Sequence, residues 1–221
     1  MKTSLLYTVV FGFVGTLAAC GPSLTLDGQQ VKVVGHQHVA VDGHAELLFK
    51  DVPNIFRALF DVVEDAGYRF RNAYVRGIPA PTHRGTIWND SRNQEFPLKP
   101  HTDWPQVHLS EFEYNSVKHP IAVNFYPIHP ARGDSILKLY NFVPTKEWLH
   151  QRGIEKSGYP IDPKDLSGME VLDIEPESGD MLLFNSSFVH AVHSKVHVVD
   201  RLNINGFLGQ SAVLNRVIAW A

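Results

Sequence analysis

The chain has 221 residues, 44% of them hydrophobic and 19% charged, an ordinary globular composition with room for one good core. A net charge of -3 and a pI near 6.4 give no electrostatic footprint for a nucleic-acid partner. The single cysteine, Cys20, rules out an internal disulfide and a cysteine zinc site, and 14 prolines and 16 glycines with few long helical patterns favour a β-rich fold.

At the N-terminus, Met1-Lys2 precedes an apolar run from Leu5 to Ala19. A basic start, an apolar stretch and small residues before a cut site read as a secretory signal. The ending Leu17-Ala18-Ala19-Cys20-Gly21 resembles a bacterial lipobox, in which the cysteine is lipidated and becomes the mature N-terminus. The run is short for a spanning helix. The competing reading is a buried β-strand rich in Val, Phe and Leu. The chain therefore divides into residues 1–20, a lipoprotein signal or an N-terminal strand, and a single domain over 21–221. In the first case the protein is membrane-anchored through a lipid; in the second it is cytoplasmic. From Leu24 to Phe49 the apolar residues alternate and glycines punctuate them, which predicts short antiparallel strands. His36, His38 and His44 stand here with only Asp42 as a carboxylate, and read as surface or turn residues.

Asp51 to Ala66 predicts a helix, with Asp51 as cap, Pro53 in the first turn and Gly67 at the end. Ile55, Phe56, Leu59, Phe60 and Val63 form one apolar stripe, suited to covering the outside of a sheet. Tyr68 to Ile78 alternates as a strand. Thr82 to Pro100 is polar and reads as a loop carrying Arg84, Trp88 and Arg92.

Pro100-His101-Thr102-Asp103-Trp104-Pro105 is the stretch around which the chemistry is organised. In an extended strand, residues i and i+2 point to one side, about 6–7 Å apart at Cα. His101 and Asp103 can then bind one metal ion from adjacent corners. A second histidine would complete the two-histidine, one-carboxylate face that leaves positions open on Fe(II). Ile121 to Pro127 alternates as a strand, with Asn124 and Tyr126 on one face and Val123 and Phe125 on the other. Gly133 to Asn141 reads as a turn and a strand, Thr145 to Gly153 as a short capped helix and Tyr159 to Gly168 as a loop.

Ser178 to Phe184 is a turn leading into a buried strand. Phe188 to His193 follows, then Arg201 to Asn205 as another alternating strand. His190 and His193 both offer a distal ligand. In a regular strand they face opposite ways, so only one can join His101 and Asp103. If the His190 and Arg201 strands are neighbours, the arginine enters the same cavity as the histidine. A buried guanidinium needs an anion, and the far end of a metal-held dicarboxylate supplies one.

These motifs, in order, are His-x-Asp, Asn-Phe-Tyr-Pro, Gly-Asp-Ser-Ile-Leu-Lys-Leu-Tyr-Asn, Gly-Asp-Met-Leu-Leu-Phe with Val-His-Ala-Val after it, and Arg-x-Asn. Together they resemble the Fe(II)/2-oxoglutarate-dependent dioxygenases from about Tyr68 to Leu208. The resemblance implies a double-stranded β-helix, a cupin-like jelly roll with flanking helices. It implies iron held by His101, Asp103 and His190, with His190 fitting the pattern better than His193. It implies 2-oxoglutarate held by Arg201, with Asn203 where the family usually has serine, and with Asn124 or Tyr126 as a further contact. The implied reaction consumes O2, converts 2-oxoglutarate to succinate and hydroxylates an unactivated C–H bond. The carboxylate at Asp103 favours hydroxylation over halogenation, since related halogenases carry a small residue there. Trp104, Trp88 and Arg84 suggest a rim suited to a small carboxylate such as an amino acid. Two other classes remain open: a cupin-like metalloenzyme that does not use 2-oxoglutarate, and a surface-anchored β-domain without catalysis.

Overall fold

The computed structural model describes residues 54–88, 95–103, 113–128, 135–194 and 201–221, with the backbone of four short strands before them. In chain order the elements are β1 (Val9–Gly12), β2 (Leu24–Leu26), β3 (Gln29–Val31), β4 (Gln37–Val39), α1 (Ile55–Asp65), β5 (Phe70–Asn72), β6 (Tyr74–Val75), β7 (Ile78–Pro79), β8 (Arg84–Trp88) and β9 (Leu98–His101). They continue with β10 (Ile121–Ile128), β11 (Ile136–Tyr140), α2 (Lys146–Gln151), β12 (Val171–Ile174), β13 (Asp180–Asn185), β14 (His190–His193), β15 (Arg201–Ser211) and β16 (Arg216–Trp220).

Two sheets face one another. The larger runs β1-β13-β10-β15, and the long β15 pairs on its far edge first with β8 and then with β16, which leads on to β5. The smaller runs β12-β11-β14-β9. The two orders together are those of a double-stranded β-helix, in which the chain crosses between sheets at each step from β8 to β11 and again from β12 to β15. Ala122, Tyr126, Leu182 and Phe184 of the larger sheet meet Leu137 and Leu139 of the smaller in one apolar layer.

The outer face of the larger sheet presents Val123, Phe125, Met181 and Ile204, and α1 lays Ile55, Phe56 and Phe60 onto it. This is the covering role that the apolar stripe of α1 predicts. Its cap is Asn54, not Asp51: the Asn54 side chain accepts from the Arg57 N–H at 3.1 Å, and Asp51 and Pro53 lie outside the described residues. The second helix is capped by Thr145 as expected and, with Ile161 and Leu166, covers the back of the smaller sheet.

Four expectations change. Tyr68 to Ile78 is not one strand, because Arg76 and Gly77 both have positive φ and fold β6 back onto β7 as a tight hairpin. The polar stretch after Thr82 is not a loop throughout. Its Arg84–Trp88 segment is an interior strand, held by pairing to β15 that local composition does not reveal. The strands of His190 and Arg201 are not neighbours but lie in opposite sheets. His101 is the last residue of β9, and Asp103 lies in the bend beyond it rather than in a regular strand. The backbone of β1 pairs with the edge of β13, while the lipobox stretch around Cys20 lies outside the described residues. Among the described residues no helix is long and apolar enough to cross a membrane.

Candidate metal centre and cosubstrate cleft

His101 and His190 are directly opposite one another across the antiparallel pair β9–β14. That register brings both rings to the inner face, with centroids 4.2 Å apart. Asp103 reaches the same point from the bend. Its backbone N–H donates to Ser186 O at 3.1 Å, and the hydroxyl of Thr102 donates to Ser187 O at 3.0 Å. The buried turn Ser186-Ser187 thus clamps the His-Thr-Asp segment from below. The result is a cluster of one ligand atom each from His101, Asp103 and His190, all within 4.8 Å of one another.

The donor set fits a divalent ion. His101 Nδ1 lies 2.8 Å from Lys99 O and His190 Nδ1 lies 2.9 Å from Phe188 O. A carbonyl only accepts, so each Nδ1 carries its proton and each Nε2 keeps its lone pair. Those two Nε2 atoms face the carboxylate, at 3.8 Å from His101 and 3.4 Å from His190. Backbone carbonyls holding the outer ring nitrogens are the usual support for metal-binding imidazoles. Two imidazoles and one carboxylate suit Fe(II), and harder or softer sets would suit other ions.

The electrostatics agree with a cation site. Burial, helped by His190, pushes His101 down to about 4. Burial would also raise Asp103, but His190, His101 and Arg84 outweigh it and hold the carboxyl below its ordinary value. His190 moves up despite its burial, because Asp103 stabilises its charged form. A metal ion bound at the His190 Nε2 would compete with a proton for that atom.

His193, the other candidate, does not join the cluster. It projects from the back of the smaller sheet, edge-on to Phe96 and 3.8 Å from Glu95.

Across the interior, β15 turns Arg201, Asn203 and Asn205 inward and Ile204 outward. Arg201 is 2% exposed. Tyr126, on the neighbouring strand β10, is buried too; burial drives its phenol up to about 12, so it stays a neutral donor, and Arg201 partly offsets that rise. Burial pulls Arg201 down to about 10, which leaves it charged at neutral pH. The Asn203 side chain donates to Asn124 Oδ1 at 3.1 Å, tying these two predicted residues together. A charged arginine, a neutral phenol and an amide pair therefore occupy one wall, facing the metal cluster on the other.

Arg84 and Asn205 were not read as interior residues. Arg84 stands opposite Asn205 in the β8–β15 register, and Asn205 opposite Asn124 in the β10–β15 register. The alternation of β15 points to Asn205, but nothing local marks Arg84, whose partner strand lies more than a hundred residues away. Trp104 lies outside the described residues, and Trp88 is described by its backbone alone.

The fold and the cluster together define a double-stranded β-helix with a two-histidine, one-carboxylate centre on its smaller sheet. No family model and no curated protein sequence matches the chain. Among solved structures, an N-substituted L-amino acid dioxygenase from Burkholderia ambifaria AMMD aligns with a TM-score of 0.52 at 13% identity, over 76% of this chain. The aligned part is 62% of that protein's length. HygX from Streptomyces hygroscopicus, solved with iron bound, aligns at 0.40 and 16% identity over 72% of this chain and 67% of its own. The likeness to the Burkholderia protein is one of fold, and this chain shares it.

Proposed function

We propose that the protein is an Fe(II)- and 2-oxoglutarate-dependent oxygenase that hydroxylates an unactivated C–H bond of a small molecule. The observation that carries this reading is the convergence of His101, Asp103 and His190, with their ligand atoms within 4.8 Å, opposite a buried arginine. In this reading the three side chains hold iron through the two Nε2 atoms and the carboxylate. Bound iron supplies the redox chemistry that couples decarboxylation of 2-oxoglutarate to succinate with oxidation of the substrate by O2.

The chain's own contribution is to orient and to keep dry. Arg201 receives the cosubstrate's far carboxylate, where an unpartnered charge would be costly to bury. Tyr126 offers a phenolic O–H, and the Asn124–Asn203 pair holds the wall beside it. Leu139 pairs with His190 in the smaller sheet, and Phe184 packs edge-on to the same ring at 5.0 Å. Together they limit water on the inner side of the metal. The buried Arg201, on the wall facing the cluster, favours this reading over a cupin that does not use 2-oxoglutarate.

Anaerobic titration tests the proposal. With Fe(II) and 2-oxoglutarate together, a weak visible absorption band should appear, and with either alone it should not. If iron binds but 2-oxoglutarate never perturbs it, the cosubstrate half of the reading fails.

A further inference from the structure

We infer that Arg84 is a second anion-binding residue in the cleft, and that the substrate carries a carboxylate it recognises. The inference rests on the proposed function and goes beyond it in naming the substrate class.

Register sets its place. Arg84 lies opposite Asn205 across β8–β15, on the face that also carries Arg201. Asn205 is four residues from Arg201 along one strand, about 13 Å away. The two arginines therefore occupy different depths of one cleft. Arg84 shares its level with Asn205 and, across β10, with Asn124.

Its hydrogen-bonding capacity is unspent. Among the described residues, Arg84 makes no ion pair and its Nε is buried without an acceptor. The facing Asn205 Oδ1 is buried without a donor. A half-buried guanidinium without a hydrogen-bonded anion is unfavourable unless a ligand brings one.

Charge balance leaves room for an anion besides the cosubstrate. A divalent ion, Asp103, Arg201 and the dianionic 2-oxoglutarate already sum to zero, so the positive charge of Arg84 is left over. One further negative charge, with two oxygens to meet the planar fork, makes the assembly neutral. Asn205 and Asn124 beside it can orient the same group or an adjacent amide.

Matched probe pairs read this directly. N-acetyl-L-leucine, N-acetyl-L-phenylalanine, phenylacetate and benzoate, each beside its primary amide, are titrated calorimetrically into protein loaded with Ni(II) and 2-oxoglutarate. At least one carboxylate should bind tenfold or more tighter than its amide. Arg84→Gln should erase that preference, Arg84→Lys should keep part of it, and affinity for 2-oxoglutarate should change less than twofold in both. Three results overturn the inference: no carboxylate is preferred by the wild type, the preference survives in Arg84→Gln, or Arg84→Gln weakens 2-oxoglutarate instead. A wild type that binds Ni(II) but not 2-oxoglutarate would sink the proposed function itself, which is a different outcome.

Discussion

Whether an imidazole serves a metal depends on what its outer nitrogen does. His190 has its Nδ1 proton fixed by Phe188 O and its Nε2 aimed at Asp103, while His193, three residues on, points out of the opposite face toward Phe96. His190→Ala should therefore lose bound metal and His193→Ala should retain it, as measured by metal content after dialysis. The reverse pattern would move the site to the other face of the sheet. Asp103→Ala removes the only carboxylate of the cluster, and succinate formation coupled to product should fall below detection. For Arg201, loss of one partner of a buried charge pair costs about 3–5 kcal/mol, about a hundredfold or more in affinity. Arg201→Ala should raise the apparent KM for 2-oxoglutarate by that factor with metal content unchanged, and lysine should rescue only in part because it lacks the planar fork. An unchanged KM would leave Arg201 a structural residue. The His-x-Asp spacing marked two of the three clustered residues in the sequence, although Asp103 reaches the cluster from a bend rather than along a strand, and Arg201 faces it from the opposite sheet rather than from a neighbouring strand. Arg84 was not readable as an interior group, since its inward direction comes from pairing with a strand far along the chain.

Among the elements, the strands with an alternating pattern were legible and those built by pairing were not. Ile121–Ile128 and Ile136–Tyr140 alternate and pack on both faces. Arg84–Trp88 looks like a polar loop, yet it lies against the first half of β15. The junction of β8 and β16 along β15 depends on a glycine: a Cβ on Gly206 would collide with the backbone carbonyl of Thr82. A backbone atom cannot rotate away, so Gly206→Ala should destabilise the fold by about 1–3 kcal/mol, read as a lower denaturation midpoint. A midpoint equal to the wild type would mean that the Thr82 segment yields. A second link is electrostatic. Arg71 donates from both terminal nitrogens to Glu113 at 2.6 and 2.8 Å, and the Tyr74 N–H joins at 2.8 Å, tying the β5–β6 segment to the turn Glu113–Ser116. The hydrogen bonds from Arg71 hold the Glu113 carboxyl below its ordinary value. A depressed folded-state pKa gives stability that is present above the unfolded pKa, about 4.3, and is lost as pH falls through the folded value. Glu113→Gln should make the denaturation midpoint fall less steeply below pH 5 than the wild type does; parallel curves would mean that the pair contributes nothing.

At the scale of the whole molecule, the two sheets meet through an apolar layer and, in the reading above, through the bound ligands. His101, Asp103 and His190 belong to the smaller sheet and the bend after β9, whereas Arg201, Asn203 and Tyr126 belong to the larger. A metal alone is held from one side. In the proposed function a metal with 2-oxoglutarate would span both, with one end of the cosubstrate at the metal and the other at Arg201. Ligands that bind only the folded state stabilise it by mass action, by about 2.7 kcal/mol at a hundred times Kd. For a chain of this size that corresponds to a rise of about 5–10 °C in Tm. Ni(II), used because it does not turn over, should raise Tm by itself, and 2-oxoglutarate without metal should have little effect. The two together should exceed the sum of their separate shifts, since each improves the other's site. In Arg201→Ala the Ni(II) shift should persist and the extra increment should vanish. In Asp103→Ala both should vanish. If the increment survives in Arg201→Ala, the cosubstrate is held on the metal's side alone, and the link between the two sheets is apolar packing only.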